Sequence, residues 1–316
     1  MIVTITMNPA VDKSTATEKM VPEKKMRCDQ MISEAGGGGI NVSKAIKELG
    51  GDSLVIFPSG GLNGKLIEKN LADKQIRFNT IPIEMETREN IVVCEKETNA
   101  QYRFVMPGAG LNEKEAEACF TLLQKLQPAP TYIIASGSLP PGLSKNYFRR
   151  LAALAKEMKA RFIADTSGEP LLLAAKEGVY LLKPNLHELS TLAGKQQLEL
   201  EEVDDAALEI IQQGKCEVVV VSLGQSGALL ASKEGVEHVP APTVKKLSTV
   251  GAGDSMVAGM VWMLSQNKSL PEVVRFGVAC GTAATMNPGT QLFKKEDVYR
   301  LYKWINESGH KYRLNL

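Results

Sequence analysis

Ser248-Thr249-Val250-Gly251-Ala252-Gly253-Asp254-Ser255 runs directly into the apolar, small-residue segment Met256-Val257-Ala258-Gly259-Met260-Val261-Trp262. Gly251 and Gly253 open backbone conformations closed to other residues and let a ligand approach the main chain. The apolar run that follows predicts a buried helix. Its start offers unpaired N–H groups and the positive end of the helix dipole, a fit for phosphate oxygens. Asp254 puts a carboxylate at that same end. An anion hole beside a carboxylate suits phosphoryl transfer: the N–H groups stabilise the moving phosphoryl and the carboxylate accepts a hydroxyl proton. An N-capping Asp after a Gly-rich turn would use the same residues, so the remainder of the chain must decide.

Outward from that stretch the pattern is α/β. Helices are predicted over 112–126, 143–157, 169–176, 252–265, 270–285 and 294–307, and strands over 2–6, 53–57, 131–136, 161–165, 179–182 and 217–222. Segments such as Tyr132-Ile133-Ile134-Ala135 are continuously apolar and flanked by helices, which predicts a parallel sheet covered on both faces. Two stretches break the alternation. Residues 13–34 are polar and interrupted by Pro22, and 88–95 with 101–106 form a hairpin pattern around Glu97-Thr98-Asn99-Ala100. Together they predict a small four-stranded sheet outside the main one.

Composition narrows the function classes. The 316 residues carry a net charge of +1, with 44% hydrophobic and 23% charged residues. Basic residues are dispersed, so nucleic acid and membrane surfaces are not expected partners. No apolar run approaches the roughly 18 residues that span a bilayer, and the N-terminus lacks the pattern of a signal peptide. Five scattered cysteines without a CxxC pair predict a reducing, cytoplasmic setting. His187, His238 and His310 have no spacing suited to a metal.

Several stretches carry polar groups at predicted strand ends, where open α/β sheets bind ligands. Asp12 follows the first strand, as a ligand contact or as a turn residue near Pro9. Gly36-Gly37-Gly38-Gly39 opens a helix with Asn41 on its first turn, as a close seat for a hydroxylated or phosphorylated ligand or as a hinge. Gly60-Gly61-Leu62-Asn63-Gly64-Lys65 lacks P-loop spacing and has Leu66 where Ser or Thr would hold Mg²⁺. Lys183-Pro184-Asn185-Leu186-His187-Glu188 puts two oxygen-bearing side chains three apart, for Mg²⁺ or for a capping box. Gly224 and Gly227 border a phosphate or make a turn. Ser136-Gly137-Ser138-Leu139-Pro140-Pro141-Gly142 is a rigid loop after a strand.

Two separated motifs then agree. Gly37-Gly38-Gly39-Ile40-Asn41-Val42-Ser43, with Gly50 and Gly60 beyond it, resembles the first sequence pattern of the PfkB (ribokinase-like) carbohydrate kinases, and Ser248 through Val261 resembles the second. Lys183-Pro184-Asn185…Glu188 and Ser222-Leu223-Gly224 lie where that family has them. Within it, Gln101 through Gly108 and Val273 through Val278 are similar to the 6-phosphofructokinase branch. The 1-phosphofructokinase and tagatose-6-phosphate kinase branches typically carry Lys at the position of Gly38, whereas Asn8-Pro9-Ala10-Val11-Asp12 is closer to those branches.

The resemblance implies one αβα doubly wound kinase domain with a β-sheet lid, its segments at about 12–34 and 87–107. It implies ATP-dependent phosphorylation of fructose 6-phosphate, with 1-phosphofructokinase or tagatose-6-phosphate kinase as the alternative and a non-catalytic sugar-phosphate sensor as an alternative of another class. Asp254 would be the base, with Gly251, Ala252 and Gly253 as the anion hole. Asp12, Lys25, Arg27, Gly37, Gly38, Asn41, Arg88, Arg103 and Ser138 would hold the sugar phosphate. Lys183, Asn185, Ser222, Gly224 and Gly227 would contact ATP, and Glu188 would organise Mg²⁺ through water. Backbone oxygens at Ser248, Val250, Ala284, Asn287 and Gly289 would match a K⁺ loop. A homodimer through the lid is expected.

Overall fold

The computed structural model describes residues 1–308, so His310 lies outside the described residues. The chain enters on β1 (Ile2–Ile5), buried at all four positions. It leaves the main body through β2 (Ala10–Thr17) and β3 (Ile32–Gly36) and returns by α1 (Gly38–Glu48). After β4 (Leu54–Ser59), α2 (Gly61–Asp73) and β5 (Arg77–Pro82) it makes a second excursion, β6 (Arg88–Glu95) and β7 (Gln101–Val105). Regular alternation follows: α3 (Glu113–Gln124), β8 (Tyr132–Ser136), α4 (Tyr147–Glu157), β9 (Arg161–Asp165), α5 (Gly168–Glu177), β10 (Val179–Leu182), α6 (Leu186–Leu192), α7 (Val203–Gln212) and β11 (Cys216–Ser222). Two antiparallel strands, β12 (Ala228–Ser232) and β13 (Gly235–Val239), close that edge before α8 (Ala252–Ser265), α9 (Leu270–Thr285) and α10 (Lys295–Ser308).

The main sheet has nine strands in the order β13-β12-β11-β10-β9-β8-β1-β4-β5. From β1 the chain first builds outward through β4 and β5, then restarts on the other side with β8. The strand order therefore reverses between β1 and β8, and ligands of such sheets bind in the crevice beyond the strand ends at that point. Both faces are covered, one by α3 to α7 and the other by α1, α8, α9 and α10. The stretch that opened the sequence reading becomes α8, buried nearly all round as a helix apolar on every side must be. It packs closely on α9: a Cβ on Gly259 would stand 2.5 Å from Cys280 Sγ, and one on Gly277 2.6 Å from Met260 Cγ.

The two excursions pair through β2 and β6 into one four-stranded sheet in the order β3-β2-β6-β7, as the sequence pattern predicts. Three differences matter. Asp12 is not a residue of a turn after β1 but lies inside β2, opposite Glu34 and Asn90. Pro9, beside it, is the residue before the strand begins. The edge strand β5 was not expected, because Arg77-Phe78-Asn79-Thr80-Ile81-Pro82 is mostly polar and ends on Pro, which removes a ladder donor. The acidic α7 and β13 were also not among the expected elements.

Candidate active site

The site begins where α1 meets the switch point. A Cβ on Gly39 would stand 2.6 Å from the Ile5 carbonyl oxygen, and one on Gly38 2.2 Å from Ser136 Oγ and 2.7 Å from the Gly137 nitrogen. The glycines let the helix start sit against the ends of β1 and β8, where any side chain would force it away. Gly37, at φ 115°, makes the turn into the helix. This is close packing at a fixed place rather than a hinge.

Asn41, on the first turn of α1, then reaches across to α8 and donates from Nδ2 to Asp254 Oδ2 at 2.9 Å. Ser136, the last residue of β8, is 3.3 Å from Asp254 Oδ1. Gly251, in the left-handed region at φ 71°, is the residue that caps α8, and no side chain caps that helix. The structure therefore removes the capping alternative for Asp254, which sits within the first turn with its carboxylate turned to α1 and β8. Burial, and next the neighbouring Asp165, push its carboxyl up to about 6. A carboxylate near 6 is a better proton acceptor than an ordinary Asp and is still ionised at neutral pH.

Lys183, at the end of β10, is buried and pairs with Asp165 Oδ1 at 3.2 Å. Its Nζ lies 3.4 Å from where a Cβ on Gly253 would be, so the ammonium stands against the start of α8. Burial opposes its charge, but Asp165 outweighs burial and its pKa is raised. Sequence reasoning singled out Ser138 and passed over Ser136 and Asp165. The signal for both was their position as polar residues ending parallel strands.

Asp12 sits on the lid's inner side against the glycine run, since a Cβ on Gly36 would collide with its carboxylate. It accepts from Asn90 Nδ2 at 2.8 Å, and burial pushes its carboxyl up. Ser138 Oγ accepts from Asn8 Nδ2 at 3.0 Å. Arg88 donates to the carbonyls of Asn8 (3.0 Å), Pro9 (3.4 Å) and Met106 (3.0 Å), tying the lid root together. A guanidinium has five N–H groups, so part of its donor set remains for an anion. Arg103, exposed on β7, donates to Thr249 Oγ1 at 3.2 Å, while Gln101 reaches the Leu247 carbonyl at 3.4 Å. The lid thus rests on the loop before α8. Lys25 and Arg27 are exposed and are not brought to Asp12: they flank the Thr17–Cys28 pairing, and Thr17 lies about 16 Å along β2 from Asp12.

Asn185 and Glu188 make the capping box in full, each backbone N–H bound by the other side chain at 2.9 Å. Glu188 keeps its second oxygen for a cation or water, and burial pushes its carboxyl up. Ser222 pairs with Asn185 across the ends of β10 and β11. Gly227 is required by the turn, since its Cβ would stand 2.0 Å from the Val239 carbonyl oxygen, and Gly224 adopts φ 59°. Ser248 Oγ donates to the Gly289 carbonyl at 2.8 Å and accepts from the Val250 N–H at 3.1 Å. The Leu247 N–H reaches the Thr285 carbonyl at 2.8 Å. The loop before α8 and the segment after α9, with Ala284, Asn287 and Gly289, are thereby brought side by side. Among the described residues no three His, Cys, Asp or Glu side chains cluster as a metal cage, and no helix is long and apolar enough to cross a membrane.

The chain is similar to known proteins over nearly its whole length. The family model described as pfkB family carbohydrate kinase matches residues 1–297. The ATP-dependent 6-phosphofructokinase isozyme 2 of Escherichia coli is 43% identical over 306 residues, 96% of this chain and 99% of that one. Phosphofructokinase-2 from Escherichia coli has been solved with fructose-6-phosphate, with potassium and in a tetrameric inhibited form. These match with TM-scores of 0.91, 0.92 and 0.90 and identities of 41%, 43% and 42%, each over 96% of this chain and 99% of that one.

Proposed function

The chain belongs to the pfkB family of carbohydrate kinases, and on that premise we propose that it transfers the γ-phosphoryl of ATP to the 1-hydroxyl of fructose 6-phosphate, giving fructose 1,6-bisphosphate. The observation that carries the chemistry is Asp254, not engaged in capping and raised to about 6 by burial, beside the glycine-capped start of α8 at the switch point of the sheet. A sugar-phosphate sensor has no use for such a base. The extensive identity with a 6-phosphofructokinase supports the choice of sugar.

Asn41 and Ser136 hold the Asp254 carboxylate in line to take the proton of the 1-hydroxyl. The backbone N–H groups at the start of α8, which Gly251 caps without a side chain, receive the charge on the moving phosphoryl, the Ala252 N–H exchanging its long 3.5 Å contact to the Thr249 carbonyl, with the Lys183 ammonium beside them. Asp12, Gly37, Gly38, Asn41 and Ser138 seat the sugar, and Arg88 and Arg103 face its phosphate from the lid. Lys183, Asn185, Ser222, Gly224 and Gly227 border the nucleotide. Mg²⁺ would arrive on the ATP phosphates, where Glu188, with one carboxylate oxygen left by its capping bond, could hold it through water, and it would supply charge neutralisation on the phosphates. The paired loops at Ser248, Val250, Ala284, Asn287 and Gly289 fit a K⁺ ion through carbonyl oxygens, each of which has two lone pairs.

The test is ADP release measured side by side on a sugar panel. We expect kcat/KM for fructose 6-phosphate to exceed that for fructose 1-phosphate and tagatose 6-phosphate by at least about 10-fold, or 1.4 kcal/mol. Equal turnover of either rival would overturn the sugar and leave the kinase. No ADP release with any sugar would support the sensor.

The edge strands of the lid and their flanks expose Met31, Ile32, Phe104 and Val105, the last at 67%. Apolar edges of this kind call for cover, and we assign it to a second copy. Sedimentation is expected to show a dimer that Phe104→Glu weakens; a monomer at micromolar concentration would sink the assignment.

A further inference from the structure

Asp165 touches none of the groups assigned to the reaction except Lys183 and Ser136. It ends β9 directly opposite Ser136, which ends β8. We propose that Asp165 is a positioning residue for Asp254, acting through its own charge, through the Ser136 hydroxyl that stands between the two carboxylates and through the Lys183 ammonium it holds. The inference rests on Asp254 being the base.

Ser136 Oγ is 3.3 Å from Asp254 Oδ1 and 3.4 Å from Asp165 Oδ2. A hydroxyl has one proton to donate. Whenever that proton serves Asp165, Asp254 loses a hydrogen bond that would have stabilised its charged form. Asp165 also repels that charge directly, and both effects raise the proton affinity of Asp254.

The other groups facing Asp254 pull the opposite way. The Asn41 amide donates to it, and Lys183 at the end of β10 and Lys44 on α1 are cations nearby. Neither cation is available to it alone. Lys183 is bonded to Asp165, and buried Lys44 donates to the Ala35 carbonyl at 3.1 Å with Glu34 and Asp12 also near it. Without Asp165, the two lysines, Asn41 and an undivided Ser136 would all favour the carboxylate and leave a weaker base. Burial and Asp165 are accordingly the two leading causes that raise Asp254.

The test is the titration of Asp254 in the intact enzyme, followed by NMR with ¹³C-labelled Asp carboxyls and assigned with Asp254→Asn. Asp165→Asn is expected to lower the Asp254 midpoint by about one pH unit. Ser136→Ala removes a donor from Asp254 and is expected to raise it. The acid limb of kcat/KM moves in the same two directions. The sugar phosphate ionises near 6 as well, but identically for every variant, so differences between variants belong to the enzyme. An unmoved midpoint in Asp165→Asn overturns the proposal, even if KM for ATP or Tm changes as a purely structural role would require. If Asp165→Asn does not fold alone, Lys183→Met and Lys183→Met/Asp165→Asn decide, since they differ only in the Asp165 charge: equal Asp254 midpoints in the two overturn the proposal. Should Asp254→Asn retain its rate, the base assignment fails on its own, while the NMR midpoints still report whether the carboxylates are coupled.

Discussion

Asp254→Asn is expected to fold, bind both substrates and lose at least about 10²–10⁴-fold in kcat, the usual worth of general-base assistance. The amide fits the cavity. Its Oδ1 can accept from Asn41, and its Nδ2 can donate to Ser136 Oγ, which then turns its own proton to Asp165. What it cannot do is accept the hydroxyl proton. The same substitution carries a stability signature of definite sign. The carboxyl is raised from 3.8 to about 6 in the folded protein, so between those values the native state binds more protons than the unfolded chain. Stability contributed by this group is therefore present below about 4 and is lost as pH rises through about 6. Replacing the carboxylate by a neutral amide removes that loss, so melting curves are expected to show the variant more stable than the parent at pH 7–8 and no more stable near pH 4. A variant that keeps more than a tenth of the parental rate would refute the base, and equal Tm at both pH values would refute the shift.

This pairing of function with instability shows how the sequence could be read and where it could not. The α8 stretch was legible because its apolar run and two glycines leave few alternatives, and the helix spans 252–265 as expected. The lid was legible from two breaks in the alternation, yet the bounds of β2 were not, because Asp12 through Thr15 lie half-buried in a polar strand without a clear period. The glycine run could be read as a seat or a hinge, since only the positions of Ile5, Thr6 and Ser136 show that side chains are excluded there. Asn185 and Glu188 remained two-sided for a physical reason: capping consumes one carboxylate oxygen and leaves the other. Arg88 was chosen for its charge, whereas its partners are three carbonyls that no pattern in the sequence announces. Asp165 and Ser136 were missed because their meaning comes from strand register, a long-range property set by the sheet.

Lys183→Met is expected to lower kcat by about 10²–10³-fold, the range seen when a preorganised charge-stabilising donor is removed, with a drop in Tm besides. The ammonium is 7% exposed and is bonded to Asp165. Its charge therefore persists over the working pH range, and it acts at the start of α8 where phosphoryl charge develops. Methionine keeps the length and apolar stem but leaves Asp165 without its cation. Breaking a buried pair from one side costs about 3–5 kcal/mol, and the lower end applies because Asp165 retains 15% exposure. The two losses are separable. Adding Asp165→Asn to Lys183→Met removes the stranded carboxylate, so Tm should recover while kcat stays low, a non-additive cycle in stability alone. If the double variant recovers kcat together with Tm, the ammonium serves the fold and not the phosphoryl group. If the single variant stays within about threefold of the parental kcat, electrostatic stabilisation at α8 is carried by the backbone N–H groups without it.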